Sequence, residues 1–570
     1  MVYGRKVALY PRWSALPTAE RNIRVRRGNS KINNEQNNQT SRSIGALVVL
    51  CLTFFLVAMD NTIINVALPT FSRTLGASTS SLQWITDAYT TAFAGLIVVG
   101  GHLADRRGRR PTLQAALVTF ALGSLLAANA STTATIIAGR AVMGIGAALA
   151  VPASLSMLVD VFQTPRSRAT AIAGWTASAG VGVAVGPLVG GALLSRFWWG
   201  SIFWFNAGVA IASLVISLPL LPKSKPSDEK HFDLLGVVLS VVALTSLVGA
   251  IIEAPTWGWT SVRFIVLALV AMGAFIATWI HAQRDPHGVI HWSLLLNPRF
   301  SFPSIAMGAT YFGIFGYLFL VTQYLQGFLG QSPFSAGVHF LPAAIAVVIS
   351  SGITRVLEEK VSTRVITVIG LLVLAAALVE AMRLQVDSGY TNALITLILG
   401  GTGMGLVLTT GTDTVMATLG QNETGTGAAI NVATMEIGGA LGVAVFGTIF
   451  NSRYHAGITN HLASALPHHL LVVTSSSFGG GVTVGRAAPH GVLAVVLSSF
   501  VAGFQKAAIS GIIVTVATAI LVALALKAKS KEEMTVEQDT IDLTKSIQPF
   551  ASEGATNSEA SDESENGDRK

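Results

Sequence analysis

Charge is scarce in this chain of 570 residues: only 12% are Asp, Glu, Lys or Arg, about half the share of an ordinary soluble domain. A water-facing enzyme is thereby disfavoured. Cysteine is rarer still, and the single Cys51 permits no intrachain disulfide and no cysteine-ligated metal. No Gly-x-x-x-x-Gly-Lys-[Ser/Thr] phosphate loop occurs, and the glycines lie in apolar stretches where phosphate would not go. The eleven histidines show no zinc spacing, and His468-His469 reads as solvated surface. No metal and no cofactor is expected. A cleavable leader is not expected either, because the first apolar block begins only at about Ile44, behind a long basic, Asn/Gln-rich stretch, and many more blocks follow.

What the chain has instead is 51% hydrophobic residues, delivered in blocks of about 20, the length that crosses roughly 30 Å of hydrocarbon at 1.5 Å per residue. Fourteen such blocks can be counted, from Ile44–Leu68 to Ala507–Leu526, and none shows the ten-residue alternation of spanning strands. The reading is an all-α polytopic membrane protein with both tails on one side. Lysine and arginine assign that side. Loops on the side of the N-terminus hold fourteen of them, including Arg106, Arg107, Arg109 and Arg110, whereas the opposite loops hold seven. The net charge of +8 therefore reads as topology signals and not as a nucleic-acid surface, and both termini are expected in the cytoplasm. Val492–Phe504 is apolar but too short to cross, and reads as an interfacial or packed helix within a large outer loop over about 451–506. The tail from Ser530 onward is acidic and polar, and reads as disordered.

Two local patterns carry more than packing. After the second block comes Gly101-His-Leu-Ala-Asp105-Arg106-Arg-Gly108-Arg109-Arg110, a tight basic turn between two spans. In the fifth block, Gly182, Gly186 and Gly190 repeat every four residues, beside Pro187 and Gly191. Small residues at that spacing let a second helix approach closely, and the proline loosens the backbone.

With Met59-Asp60-Asn61-Thr62-Ile63-Ile64-Asn65-Val66-Ala67-Leu68-Pro69, Gln83-Trp84-Ile-Thr-Asp87-Ala-Tyr89 and Gly139-Arg140-Ala-Val-Met-Gly144, the chain resembles the fourteen-span drug:proton antiporter branch of the major facilitator superfamily, the EmrB/QacA type. Gln323-Tyr324-Leu-Gln326 and Ile437-Gly438-Gly439-Ala-Leu-Gly442 extend the likeness into the second half. The resemblance implies two six-helix bundles, over 44–221 and 301–528, with two inserted helices and linkers over 222–300, a cytoplasmic basic tail over 1–43 and an acidic one over 529–570. Gly101, Asp105, Arg106, Gly108 and Arg109 would form its gating loop, and Gly182, Gly186, Pro187, Gly190 and Gly191 its antiporter motif. It further implies a monomer in the cytoplasmic membrane, driven by the proton motive force, with small molecules and protons as partners and no nucleic acid.

Depth ranks the ionisable residues, since a charge deep in a span costs several kcal/mol unless paired, hydrated or neutralised. At 1.5 Å per residue, Asp60 and Arg140 lie about 12 and 10 Å below the same surface, and Glu436 about 16 Å into its span. Asp60 and Arg140 can meet, either as a proton-coupling pair or as a structural one. Glu436 can bind a cationic substrate, share the proton, or bond within its bundle. Tyr311, Phe315, Tyr324 and Gln323 are candidate substrate contacts, which core packing explains equally well. Asp87, Glu253, Glu380 and Asp413 fall within about 8 Å of a span end and are set aside as water-accessible.

Overall fold

The computed structural model describes residues 18–222, 233–284, 292–419, 424–488 and 491–525. The start of the basic tail, Lys223, Lys225 and Lys230, and the acidic tail lie outside them. Among the described residues every regular element is a helix. The first bundle comprises α1 (Thr18–Leu75), α2 (Thr79–Arg107), α3 (Arg109–Ala128), α4 (Thr133–Val161), α5 (Pro165–Arg196) and α6 (Ser201–Leu220). A hairpin follows, α7 (Leu234–Trp257) and α8 (Val262–Arg284), and then the short α9 (Trp292–Leu296). The second bundle is built from α10 (Pro298–Gln323), which ends in a π turn over Tyr324–Phe328, then α11 (Pro333–His339), α12 (Leu341–Glu358), α13 (Thr363–Met382), α14 (Tyr390–Thr418), α15 (Thr424–Leu462) and α18 (Val492–Ala525). Two short helices, α16 (His468–Ser476) and α17 (Phe478–Ala487), lie between the last two.

The sequence punctuates these helices with ordinary start signals. Ser78, Thr132, Thr164 and Ser332 each accept a hydrogen bond from a backbone N–H of the following turn, and Pro165, Pro298 and Pro333 occupy first-turn positions where no N–H is needed. Gly108, at φ 98°, makes the abrupt reversal from α2 to α3 that a residue with a Cβ would resist. Apolar side chains cover the rim: Val266, Leu269, Met272, Phe275 and Ile276 of α8 are more than half exposed, which is favourable only against hydrocarbon.

Thirteen of the described helices are long and apolar enough to cross a membrane, against fourteen expected. The exception is α2, a helix of 29 residues with Gln83, Asp87, Thr90 and Thr91 buried along its length. It can carry them because it is enclosed by protein, between α4, α7 and α15.

The bundles meet at one end and part at the other. At the sealed end, which carries the α1–α2 turn, Gln83 donates to the Val443 and Ala444 carbonyls (3.3 and 2.8 Å), and Gln326 to that of Val66 (2.8 Å). There α5 packs on α11, with Gly191 against Pro333 and Phe334 and Gly337 against Pro187. At the open end, which carries Gly108, the first half of α5 exposes Ala173, Gly174, Thr176, Ala177 and Gly180, and α12 exposes Val348, Ile349, Gly352 and Ile353. A methyl added at Gly174, Gly180 or Gly352 would meet nothing within 4 Å.

The outer loop expected over about 451–506 is shorter than its composition suggested. Helix α15 continues to Leu462, and Val492–Phe504 is the start of α18 and not a separate interfacial helix. No helix breaker stands between Phe504 and Ala507, so the run simply propagates, giving 34 residues or about 51 Å. Between α15 and α18, His468–Ser476 and Phe478–Ala487 fold as α16 and α17 across the sealed end. Ser72 of α1 donates to Ser477 (2.9 Å), Thr79 to the Ser476 carbonyl (3.3 Å), and Tyr454 to the Thr474 carbonyl (3.0 Å).

Candidate functional site

Asp60 sits midway along the apolar part of α1 with no exposed surface. Helix crossing brings its partners within reach. On α4, Gly144 lies where any Cβ would collide with the Tyr89 carbonyl of α2, and on α5, Gly186 lies against Met59 and Thr62 of α1. Arg140 donates from Nη1 to Asp60 Oδ2 at 2.5 Å and from Nε to the Ile85 carbonyl at 3.0 Å, and its guanidinium carbon lies 4.3 Å from the centre of the Tyr89 ring. Asn206 of α6 donates to the other carboxylate oxygen at 2.6 Å. Asp60, Arg140, Tyr89 and Asn206 are all fully buried. Such a pair is expensive to bury and more expensive to break, because removing one partner strands the other at a cost of about 3–5 kcal/mol.

Asn61, the next residue, points across the molecule. Its Nδ2 lies 3.3 Å from both Oε1 and Oε2 of Glu436 on α15. Glu436 is 6% exposed. One turn along α15, Gly439 faces Tyr311 and Phe315 of α10, whose rings stack with centroids 5.1 Å apart. Glu436, Tyr311 and Phe315 therefore share one locale, at the seam between the bundles and beside the Asp60 cluster. Gln323 and Tyr324 do not join it. Gln323 donates to the Phe319 carbonyl (3.2 Å), and Tyr324 donates to the Ser388 and Gly389 carbonyls (2.9 Å each) within a ring cluster with Phe328, Phe500 and Phe504.

The glycine-rich turn organises one end of the first bundle. Arg109 pairs with Asp160 of α4, lies 3.8 Å from Asp105, and donates to the Ser156 carbonyl (2.9 Å). Arg110 donates to the Leu221 and Leu218 carbonyls (2.9 and 2.7 Å). Arg106 is exposed and Gly101 lies inside α2, so Gly108 alone makes the turn. In α5, Gly182, Gly186 and Gly190 face α1, while Pro187 and Gly191 face α11 of the other bundle.

Three buried polar residues of this region escaped the depth argument. Asn206 and Asn61 are neutral, so a search for intramembrane charge passes over them, although an asparagine within Phe203-Trp-Phe-Asn206-Ala is itself a signal. Asp87 is a correction. Set aside as water-accessible, it is fully buried, and neither of its oxygens meets a hydrogen-bond donor. Distance from a span end measures access to water only where that end is wet, and here the start of α2 is bonded across the seam, Thr79 to the Ser476 carbonyl and Gln83 to those of Val443 and Ala444. Glu253, by contrast, is only half-buried and accepts from Trp84 Nε1 at 2.9 Å. Among the described residues no group of three or more His, Cys, Asp or Glu could hold a metal.

Two bundles of apolar helices, joined over a buried charge cluster at mid-depth and parted at one end, define a membrane transport protein of the alternating-access kind. The chain belongs to the Major Facilitator Superfamily, whose profile matches residues 50–443. It is 29% identical over 485 residues to the tetracenomycin C resistance and export protein of Streptomyces glaucescens, covering 83% of this chain and 90% of that one. It is 29% identical over 489 residues to the multidrug efflux pump LfrA of Mycolicibacterium smegmatis, covering 86% and 95%. A bacterial homologue of the human lysosomal transporter Spinster, solved inward-facing and unoccupied, superposes with a TM-score of 0.60 at 19% identity over 85% of this chain and 97% of that chain.

Proposed function

We propose that the protein is a proton-coupled efflux transporter that exports amphipathic or cationic small molecules across the cytoplasmic membrane, with both termini in the cytoplasm. The carrying observation is the buried cluster in which Asp60 is held by Arg140 and Asn206 while its neighbour Asn61 reaches Glu436 of the other bundle. In this reading Asp60 is the coupling carboxyl. Burial favours its neutral form and the guanidinium its charged form, so a small movement of Arg140 exchanges a proton. Glu436, flanked by Tyr311 and Phe315, receives the positive charge of the cargo.

Counting α2 as a span gives fourteen, and the basic end then faces the cytoplasm, so the open cleft admits cargo from inside. One proton moving down about 150 mV supplies roughly 3.5 kcal/mol, enough for about two and a half decades of gradient per net charge moved. Proton-driven efflux in everted vesicles is the test. Asp60→Asn is expected to abolish transport driven by a pH gradient, and full transport by that variant would refute the coupling role. A dedicated exporter on the same scaffold is the second reading, favoured by the likeness to a protein named for one antibiotic. Protection of an efflux-deficient host against many unrelated cations supports the first reading, and protection against one compound the second.

A further inference from the structure

The charge cluster uses one face of α2, and the opposite face holds an acid that the mechanism above leaves idle. Ile85 and Tyr89, one turn apart, touch Arg140. Asp87 lies between them in sequence and so points away. It shares its face with Gln83, one turn earlier, which donates to the Val443 and Ala444 carbonyls, and with Ala94, which packs in one cluster with Ala440 and Ala444. That face is the seam with α15, the contact between bundles that seals one end. Asp87 is fully enclosed there, with no donor on either carboxyl oxygen.

We propose that Asp87 is a second proton-binding carboxyl, set in the seam between α2 and α15, and that the sealed end closes only around its protonated form. An ionised carboxylate without a hydrogen bond in a low-dielectric seam costs many times the stability of the contact around it, whereas a neutral acid costs a few kcal/mol at most. Parting the seam wets the acid and lets it release its proton to the side it then faces. Closure from that side requires the proton back. The step is a simple protonation, with water as the only other participant. The charged groups around Asp87 are few. Arg140 on α4 and Asp60 on α1 lie behind the helix and bind each other, Glu253 on α7 is bonded to Trp84, and Glu436 on α15 is bonded to Asn61. This inference deepens the transport reading and rests on it for the meaning of closure, but its readout needs neither cargo nor a gradient.

Spin labels on Thr74→Cys of α1 and Thr483→Cys of α17, both exposed positions at the sealed end, in a Cys51→Ser background, report separation of that end in liposomes by double electron–electron resonance. With Asp87 intact, the short-distance population is expected to grow several-fold as pH falls from 8.5 to 5.5. Asp87→Asn and Asp87→Thr, which are neutral at every pH, should hold the short distance throughout, while Asp87→Glu keeps the response. Asp60→Asn and Glu436→Gln should keep it too. The proposal is overturned if both neutral variants retain the pH response, if the intact protein shows none, or if Asp60→Asn or Glu436→Gln removes it instead. Loss of transport in Asp60→Asn with the distance response preserved separates the two acids. Transport unaffected by Asp60→Asn would sink the coupling role and leave this result standing.

Discussion

Replacing the two partners of the central ion pair should harm the protein unequally, because only one of them can discard its charge. In Arg140→Gln, Asp60 loses the 2.5 Å guanidinium contact and keeps the 2.6 Å amide of Asn206. It escapes by taking a proton. Against an ordinary aspartate value near 3.9, holding that proton at pH 7 costs about three units, or about 4 kcal/mol, which caps the loss. In Asp60→Asn the stranded group is a guanidinium that does not deprotonate. The Ile85 carbonyl and the Tyr89 face return only about 2–4 kcal/mol against a desolvation penalty of several. Asp60→Asn should therefore melt lower than Arg140→Gln at pH 7. The pH dependence carries the sharper contrast. Folded Arg140→Gln holds a proton that its unfolded chain lacks above about pH 4, so its stability deficit shrinks as pH falls, by about 1.4 kcal/mol per unit. Between pH 7 and 5 it should recover about 2.7 kcal/mol, and Asp60→Asn should recover nothing comparable. Apparent unfolding midpoints in detergent across that range read both effects. Equal losses, or a pH-independent deficit in Arg140→Gln, would refute the assignment of the pair.

Gly186→Leu places a side chain against Met59 and Thr62 of α1 and should cut transport at least tenfold while the protein still inserts; activity near that of the parent would show that α1 and α5 need not approach so closely. A disulfide between Ser72→Cys and Ser477→Cys in a Cys51→Ser background, replacing the 2.9 Å hydroxyl contact, should stop export and release it on reduction, and undiminished export by the cross-linked form would show that α16 and α17 need not separate from α1. Glu436→Gln should weaken cationic cargo by about tenfold or more and neutral cargo little, read as direct binding to the purified transporter, and equal effects on both would remove the charge-matching role.

The membrane-spanning class and the meeting of Asp60 with Arg140 are legible in the sequence because both follow from one-dimensional rules: a crossing length and a depth. Lengths alone place an acid and a base at the same level, and in an apolar medium they have few other partners to choose from. What depends on who covers whom is not legible. Asp87 and Glu380 both fall within about 8 Å of a span end, yet Asp87 is fully buried while Glu380 accepts from Asn392 (3.0 Å) and lies 3.5 Å from an exposed Arg383. Nothing in the letters around either residue distinguishes them. The same holds for Tyr324, a member of the Gln-Tyr-x-Gln run, whose hydroxyl is spent on two carbonyls at the sealed end, and for Val492–Phe504, whose thirteen residues are too few for a span but are continuous with the next.

In the proposed mechanism, coupling follows from the order Asp60-Asn61 on α1. Successive residues of an α-helix point about 100° apart, so the carboxyl looks into its own bundle while the amide looks across the seam to Glu436. A rotation or tilt of α1 that draws Asp60 off Arg140 necessarily changes the reach of Asn61, already at 3.3 Å and easily broken. Asn61→Leu tests this link. It deletes the amide without adding charge and leaves the 2.5 Å ion pair untouched, so thermal stability should fall by about 1–3 kcal/mol at most, while proton movement and cargo movement come apart. In liposomes the variant is expected to show proton flux without cargo, or cargo flux insensitive to the pH gradient, where the parent shows both together. If Asn61→Leu instead lowers both fluxes in proportion, α1 does not link the two sites, and the adjacency of Asp60 and Asn61 is packing alone.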